Sequence, residues 1–509
     1  MASYHVGTAA DERQKYRSFW DQFSGRADNS AMMLNANADQ IEALDRENIL
    51  ALLPSVKGKF VVDIGAGIGR FTTVFAQSEA SKVVATDFVA SFVEKNRERN
   101  GAYANVVEWR VGDATGLQFD EGSVDLVFTN WLLMYLADQE AVQFVANALQ
   151  WLRPDGYLHL RESCSEPSTK KSANHSSTTN TAITTSTSSS SSSSLHNNSK
   201  PNPTRYRFSS AYIQLLRSLR HMDVQSGTQW RFDVQWACSV GVYIERQSNW
   251  RQVHWLAKKV RVTSAENSIP KSIGSLATQF ADQWPTEQRQ FDGRMDEQKP
   301  GWMQNVLDKC VAGIKLSGDG IIFGFNGRQT IKEFGVDAQA LAEHFARRVW
   351  VVETDPFAYR NALTRANQCA DRRVRHAWHS NFVSALDFWR TVGQRVPMFA
   401  AVIGTELLAQ LQDEQVFGKF AQMLENGAHF ATVEVLGTNQ TQSIDDKKLQ
   451  ATLDLLRSHF DVDERIEQLE NGINLLVIKA TKHQSLASKS YEDGMMANCQ
   501  KRHLLMGGF

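Results

Sequence analysis

The sequence predicts an α/β protein in which one doubly wound plan occurs twice. Three observations carry that reading. Apolar runs of strand length recur in the first half: KFVVDIG (59–65), KVVATDF (82–88), VVEWRVGD (106–113), VDLVFTN (124–130) and GYLHLRES (156–163). Segments of helical pattern separate them, among them RFTTVFAQ, VASFVEKNRERN and QEAVQFVANALQWL. The second half repeats the alternation more faintly at DGIIFGFN (319–326), VWVVETD (349–355), RVRHAWHS (373–380), MFAAVIGTE (398–406) and HFATVEVLG (429–437). Short apolar strands alternating with helices imply a parallel sheet covered on both faces.

Length and composition bound the function. At roughly 150 residues per domain, 509 residues make two or three domains. Lysine plus arginine (55) and aspartate plus glutamate (56) cancel to a net charge of -1, which excludes a protein built around a polyanion. Apolar residues at 42% exclude global disorder. The five cysteines are scattered and form no CxxC, so neither a disulfide framework nor a metal knuckle is expected. The N-terminal stretch is polar and no run of 18 apolar residues occurs, so the expectation is a cytoplasmic chain with no membrane span.

The expected domains are 1–262, a linker at 263–300, a second α/β domain at 301–482, and a flexible tail at 483–509. A Ser/Thr/Asn-rich tract within 163–204 has almost no apolar side chains. Such a tract cannot offset its ordering entropy, so a disordered insertion is expected at 165–201.

The strand ends carry the chemistry. In VVDIGAGIGRF (61–71), a buried strand ends at Asp63, and Gly65, Ala66 and Gly67 turn the chain toward a helix. A glycine loop alone fits several nucleotide cofactors. A carboxylate before the first glycine suits a ligand bearing an ammonium rather than a pyrophosphate. S-adenosylmethionine has an amino acid end and no phosphate. Asp87, with Phe88 beside it, ends strand two, where a carboxylate can accept from ribose hydroxyls. Asp113 and Ala114 follow strand three, placed to meet an adenine amino group. Asn130 and Trp131 end strand four. Each has a blander reading: Asp87 as a helix cap, Asp113 in an Asx-turn. Four strand ends with suitable polar groups are far more specific than any one.

Residues 10–260 resemble the class I S-adenosylmethionine-dependent methyltransferases, and more narrowly the phosphoethanolamine methyltransferases of plants and nematodes. The matching segments are SAMMLNANA (30–38), LLPSVKGKFVVDIGAGIGRFT (52–72), TNWLLMYLADQE (129–140), LRESCS (160–165) and NPTRYR (202–207). The resemblance implies a Rossmann-like methyltransferase domain, with Asn29 and Ser30 at the amino acid end of the cofactor and Tyr206 on the substrate phosphate. It also implies that the N-terminal segment KYRSFWDQFSGRADNSAMML lids the site, with Tyr16 offering a hydroxyl. Tyr135 stands where many small-molecule methyltransferases place a histidine, so Tyr135 and Tyr16 are the catalytic candidates. Arg205, Tyr206 and Arg207 offer three phosphate donors within three residues. Arg161 and Ser163 are candidates for the pocket wall, although Arg161 can equally be a buried ion-pair partner.

The second half lacks the glycine signature: its first strand runs into GFNGRQ (324–329), and AWHSNF and IGTELL replace the turns after strands three and four. It reads as a vestigial methyltransferase-like domain. The implied function is methylation of phosphoethanolamine to phosphomonomethylethanolamine, the first step of a phosphobase route to phosphocholine. The partner is then a small molecule; nucleic acid, membrane and metal are not expected, and the chain is expected to be a monomer. Methylation of another small amine, and a second half acting only as a docking or regulatory module, are the alternatives.

Overall fold

The computed structural model describes residues 9–26, 28–165, 202–263, 269–281, 319–323, 349–368, 374–392, 399–405, 407–437, 446–468 and 474–483. Strand β1 (Phe60–Ile64) is buried after its first residue, as expected for the centre of a covered sheet. With β2 (Lys82–Asp87), β3 (Val107–Val111), β4 (Val124–Thr129) and β5 (Leu152–Ser163) it forms a parallel array in the order β3-β2-β1-β4-β5. The order in which strands are added reverses at β1, which has β2 on one side and β4 on the other, both parallel to it. In open α/β sheets that switch point is where ligands bind, at the carboxyl ends of the strands. The helices of this half are α1 (Ala9–Asp21), α2 (Asn29–Met33), α3 (Ala38–Leu50), α4 (Arg70–Gln77), α5 (Ala90–Asn100), α6 (Asp138–Trp151), α7 (Ser209–Ser218) and α8 (Gly241–Gln247).

The sheet is mixed rather than purely parallel. Strand β6 (Arg220–Asp223) pairs with β7 (Thr228–Ser239), and β8 (Gln252–Arg261) lies antiparallel to both β5 and β7. Within β7, buried Phe232, Val234 and Trp236 alternate with partly exposed Asp233 and Gln235, the period-two pattern of a half-buried strand.

The second half supplies β9 (Gly320–Phe323), β10 (Val349–Glu353), β11 (Val374–His379), β12 (Phe399–Thr405), β13 (Leu424–Gly437), β14 (Phe460–Gln468) and β15 (Asn474–Lys482). Their order, β11-β10-β9-β12-β13-β15-β14, repeats the first half's β3-β2-β1-β4-β5-β8-β7. The halves are not strung apart. Strand β11 pairs antiparallel with β7, Trp378 opposite Cys238 and His379 opposite Ala237, so a single sheet runs through both. Each of these strands would otherwise present an open edge.

Side chains lock this joint. Ser380 Oγ donates to the Gln235 carbonyl at 2.7 Å. Arg217 Nη2 reaches the Thr354 carbonyl and His379 Nε2, both at 3.1 Å. The segment expected as a linker is partly built into the first core. Residues 273–281 are helical, and Leu276 and Phe280 are buried against α7 and β8, with Phe280 edge-on to Tyr212. The Ser-rich tract beyond Ser165, the GFNGRQ segment, residues 301–318 and the tail beyond His483 lie outside the described residues.

Candidate active site

The glycine loop follows β1 directly. Gly65, Gly67 and Gly69 have φ of +73°, +53° and +84°, a region that side chains rarely enter. Gly67 N–H donates to Asp87 Oδ2 at 2.9 Å, which ties the loop to the end of β2. Met32 of α2 covers Gly67: a Cβ there would meet its sulfur at 3.1 Å. The segment containing Asn29 and Ser30 is thereby laid across the loop, although Asn29 Nδ2 itself donates to Asp39 at 3.0 Å. Asp28 caps α2 by accepting from Ala31 N–H at 2.8 Å.

Asp63 and Asp87 are both buried. Asp63 Oδ2 accepts from Thr72 Oγ1 at 2.7 Å, and burial with the nearby Asp87 pushes its carboxyl up to about 7. Burial raises Asp87 to about 6, although the backbone N–H groups of Val89, Gly67 and Phe88 oppose the shift. Among the described residues neither carboxylate has a cationic partner. Two buried, uncompensated carboxylates beside an open-backed glycine loop fit a ligand with a positive end and hydroxyl groups. Those are the acceptors that the ammonium and ribose hydroxyls of S-adenosylmethionine require. Asp87 Oδ1 also accepts from Val89 N–H, so the capping reading holds alongside the ligand reading.

Asp113 forms the Asx-turn weighed from sequence: its Oδ1 accepts from Thr115 N–H at 2.9 Å and Thr115 Oγ1 at 2.7 Å. Its other oxygen lies 3.5 Å from Arg13 of α1, and Arg13 also pairs with Glu140. The N-terminal helix is thus clamped over the carboxyl end of the sheet.

Beyond β4 the chain is strained. Trp131 has φ of +59°, costly for a bulky residue and sustained only when its surroundings over-determine it. Its N–H donates to the Arg161 carbonyl at 2.7 Å, its indole Nε1 to Gln252 Oε1 at 2.9 Å, and the Arg161 guanidinium lies 3.4 Å from its ring centre. Glu162, fully buried, accepts from the N–H groups of Leu132, Leu133 and Met134 at 3.1, 2.8 and 3.1 Å. Burial drives Glu162 up to about 7. The sharp turn these contacts create sends Tyr135 inward.

Tyr135 and Tyr16 do meet. Their ring centres are 6.0 Å apart at 81°, and Phe19 and Trp20 of α1 close the remaining sides of Tyr135. Burial raises the Tyr135 hydroxyl well above its ordinary value; Tyr206 adds to the rise and a hydrogen bond with Asn202 opposes it. Tyr206 packs at the margin of the same aromatic cluster.

The basic turn divides. Arg205 Nη1 donates to Asp138 Oδ2 at 2.9 Å. Arg207 is almost fully buried and is turned away from the cluster. Its Nε donates to Asp138 Oδ1, and its Nη groups to the carbonyls of Leu133 and Leu136, all within 2.9 Å. Arg161, with no exposed surface, takes the buried-partner alternative: it bonds Asn130 Oδ1 at 3.2 Å and Asp45 Oδ1 at 3.3 Å. Asp45 in turn holds Arg70 at the start of α4. Ser163 Oγ shares a hydrogen bond with Gln252. Ala114 is buried in the core beside β4, and Phe88 is half-buried.

Sequence reasoning takes Arg161, Glu162 and Ser163 together as the end of strand five lining a pocket, but not Glu162 as the acceptor that holds the turn after β4. It passed over Asn202, Arg251 and Gln252. Arg251 and Gln252 form a polar pair opening the apolar run VHWLA, a signal of a strand entering a site.

The fold and these acceptors define a class I S-adenosylmethionine-dependent methyltransferase, and residues 61–156 match a family model described as a methyltransferase domain. Phosphoethanolamine N-methyltransferase 1 of Caenorhabditis elegans is 42% identical over 422 residues, 83% of this chain and 83% of that one. Phosphoethanolamine N-methyltransferase 3 of Arabidopsis thaliana is 35% identical over 262 residues, 51% of this chain and 46% of its own length. The solved Haemonchus contortus phosphoethanolamine N-methyltransferase 1, in complex with phosphoethanolamine and S-adenosylhomocysteine, is 38% identical with a TM-score of 0.75, covering 94% of this chain and 100% of that one. The chain belongs to the phosphoethanolamine N-methyltransferase family.

Proposed function

We infer that this chain is an enzyme that methylates the nitrogen of phosphoethanolamine with S-adenosylmethionine, giving phosphomonomethylethanolamine. The observation that carries the reading is the full-length similarity to the Haemonchus contortus enzyme, whose solved complex holds phosphoethanolamine and S-adenosylhomocysteine. When bound, the cofactor supplies an electrophilic methyl group on its sulfonium.

The chain's own residues do the rest. Asp63, with Asn29 and Ser30, would hold the ammonium end of the cofactor. Asp87 would accept from its ribose, Asp113 and Ala114 would meet its adenine, and Asn130 and Trp131 would stand near its sulfonium. The amine enters as the free base, its ammonium proton left to solvent before the site closes, so that its lone pair can attack the methyl. Tyr135, whose hydroxyl burial keeps protonated, orients that lone pair as a hydrogen-bond donor and acceptor rather than as a phenolate. Tyr16 stands against it from α1, and the aromatic cluster excludes water from the amine. Tyr206 faces the phosphate.

A specific observation favours a supporting role for the second half. The corner after β11 is spent on Gln235 of the first half. We read the second half as vestigial and bracing, and the chain as a cytoplasmic monomer. No helix among the described residues is long and apolar enough to cross a membrane.

The test is transfer of labelled methyl from S-adenosylmethionine to phosphoethanolamine, with Asp63→Ala and Asp87→Ala as controls. Turnover by the wild type that both variants lose supports the reading. No turnover by pure wild type with phosphoethanolamine rejects it.

A further inference from the structure

The phosphate of a bound substrate needs a charged donor with a fixed orientation and no carboxylate already holding it. The arginines expected in that role fail the second condition: Arg205 and Arg207 share Asp138, and Arg161 is bonded to Asp45. Arg251, in the turn leading into β8, meets both conditions. Its carbonyl accepts from Cys164 N–H at 2.7 Å, and its Nε donates back to the Cys164 carbonyl at 2.8 Å. Cys164 directly follows β5, so this reciprocal pair fixes the guanidinium at the ligand-binding edge of the sheet.

The guanidinium carbon lies 5.2 Å from the centre of the Tyr206 ring. Among the described residues, neither Nη group has a hydrogen-bond acceptor and no carboxylate pairs with the side chain. The residue is half-buried, so an anion placed against it is partly shielded from water and the interaction is correspondingly stronger.

We propose that Arg251, stacked on Tyr206 and anchored to Cys164, is the arginine that receives the substrate phosphate through its two Nη groups. Arg205 and Arg207 instead build the wall behind Tyr206. The assignment rests on the reaction inferred above and refines it. It makes the phosphate end of the site a two-residue clamp, with one member from the segment before α7 and the other from the turn before β8. Substrates lacking the phosphate lose this contact.

The experiment is steady-state kinetics of the full chain with phosphoethanolamine, comparing Arg251→Gln and Arg251→Lys with the wild type, alongside calorimetric titration of phosphoethanolamine in the presence of S-adenosylhomocysteine. Arg251→Gln is expected to raise KM at least tenfold, with kcat changed less than about threefold and cofactor affinity unchanged. Arg251→Lys, which keeps the charge but not the fork, is expected to fall between. A KM within twofold of wild type for Arg251→Gln, or a loss confined to kcat, overturns the assignment. If Arg251→Gln does not fold, Arg251→Lys decides: KM raised severalfold supports the fork, and wild-type KM overturns it. Should the wild type bind phosphoethanolamine without methylating it, the reaction is wrong. The clamp then stands or falls on whether Arg251→Gln abolishes that binding, and absence of binding by the wild type overturns it as well.

Discussion

Arg207 donates from Nε to Asp138 Oδ1 at 2.8 Å, joining the segment before α7 to the first turn of α6. The same guanidinium satisfies the carbonyls of Leu133 and Leu136 in the strained turn that delivers Tyr135. A residue that looks like a substrate ligand in the sequence is the rivet of the loop behind the substrate.

Arg207→Gln is therefore expected to fail as a stability variant and not as a binding one. Asp138 keeps Arg205, but the carbonyls of Leu133 and Leu136 lose their donor in a buried turn, and each unsatisfied buried acceptor costs about 1–3 kcal/mol. Chemical or thermal unfolding of the variant checks this. A fully stable variant with raised KM would return Arg207 to the substrate.

The first sheet's parallel strands were legible because each is an apolar run closed by a glycine or a polar strand end, as in VVDIGAG and VDLVFTN. The acids Asp63 and Asp87 were legible for the same reason: each stands at the end of such a run. What stayed hidden depends on contacts distant in sequence. Nothing near Arg207 announces Asp138, and nothing near Trp131 announces Gln252, the partner that holds its indole. The alternation in FDVQW was readable as a strand, but its pairing with β11 requires knowing that two edges meet. Arg251 was invisible as a ligand candidate because its distinction is the lack of a carboxylate, which only the fold reveals.

The glycine loop makes a graded prediction. A Cβ on Gly69 would lie 2.4 Å from Asn96 Oδ1 and 2.6 Å from Asn100 Nδ2 at φ of +84°. Those amides belong to a buried network with Thr72 and Trp109 that cannot retreat freely. A Cβ on Gly67 meets only the flexible end of Met32. Gly69→Ala is expected to destabilise the fold by about 2–4 kcal/mol, combining overpacking with backbone strain. Gly67→Ala is expected to cost less stability but to weaken cofactor binding. Unfolding curves and cofactor titrations of the two variants should rank in opposite order.

Tyr135 is expected to act without ionising. Burial holds its hydroxyl well above the ordinary tyrosine value, so it stays protonated throughout the working range. Tyr135→Phe should lower kcat about 100-fold, the scale of a reacting group left misplaced. The pH profile of kcat/KM should keep its shape, since the remaining rise tracks the substrate ammonium. A profile whose rise disappears in the variant would make Tyr135 the ionising base.

The acids of the cofactor site tie stability to pH. Burial pushes Asp63 up to about 7 and Asp87 to about 6 in the folded chain, against about 4 when unfolded. Between those values the folded state holds more protons than the unfolded one, so stability falls as pH rises. The contribution is fully present below about 4 and is lost as pH climbs through 6 to 7; Glu162, raised to about 7, acts in the same sense. From about pH 5.5 to 7.5 this fall runs against the buried His159, His254 and His379, whose depressed values favour the folded state as pH rises toward about 6.5, so the carboxyl contribution is read as the difference in melting profile between the wild type and Asp63→Asn. On the proposed placement of the cofactor's ammonium beside Asp63, binding would favour the ionised form, so binding near pH 7 should release protons. Calorimetry in two buffers of different ionisation heat reads that release directly. Asp63→Asn keeps an acceptor for Thr72 but removes the titration. It should flatten the pH dependence and raise ligand-free stability at pH 7.5, while losing cofactor affinity. A variant with an unchanged melting profile would mean that Asp63 is already ionised in the free chain, and the link between its burial and the cofactor's charge would fail.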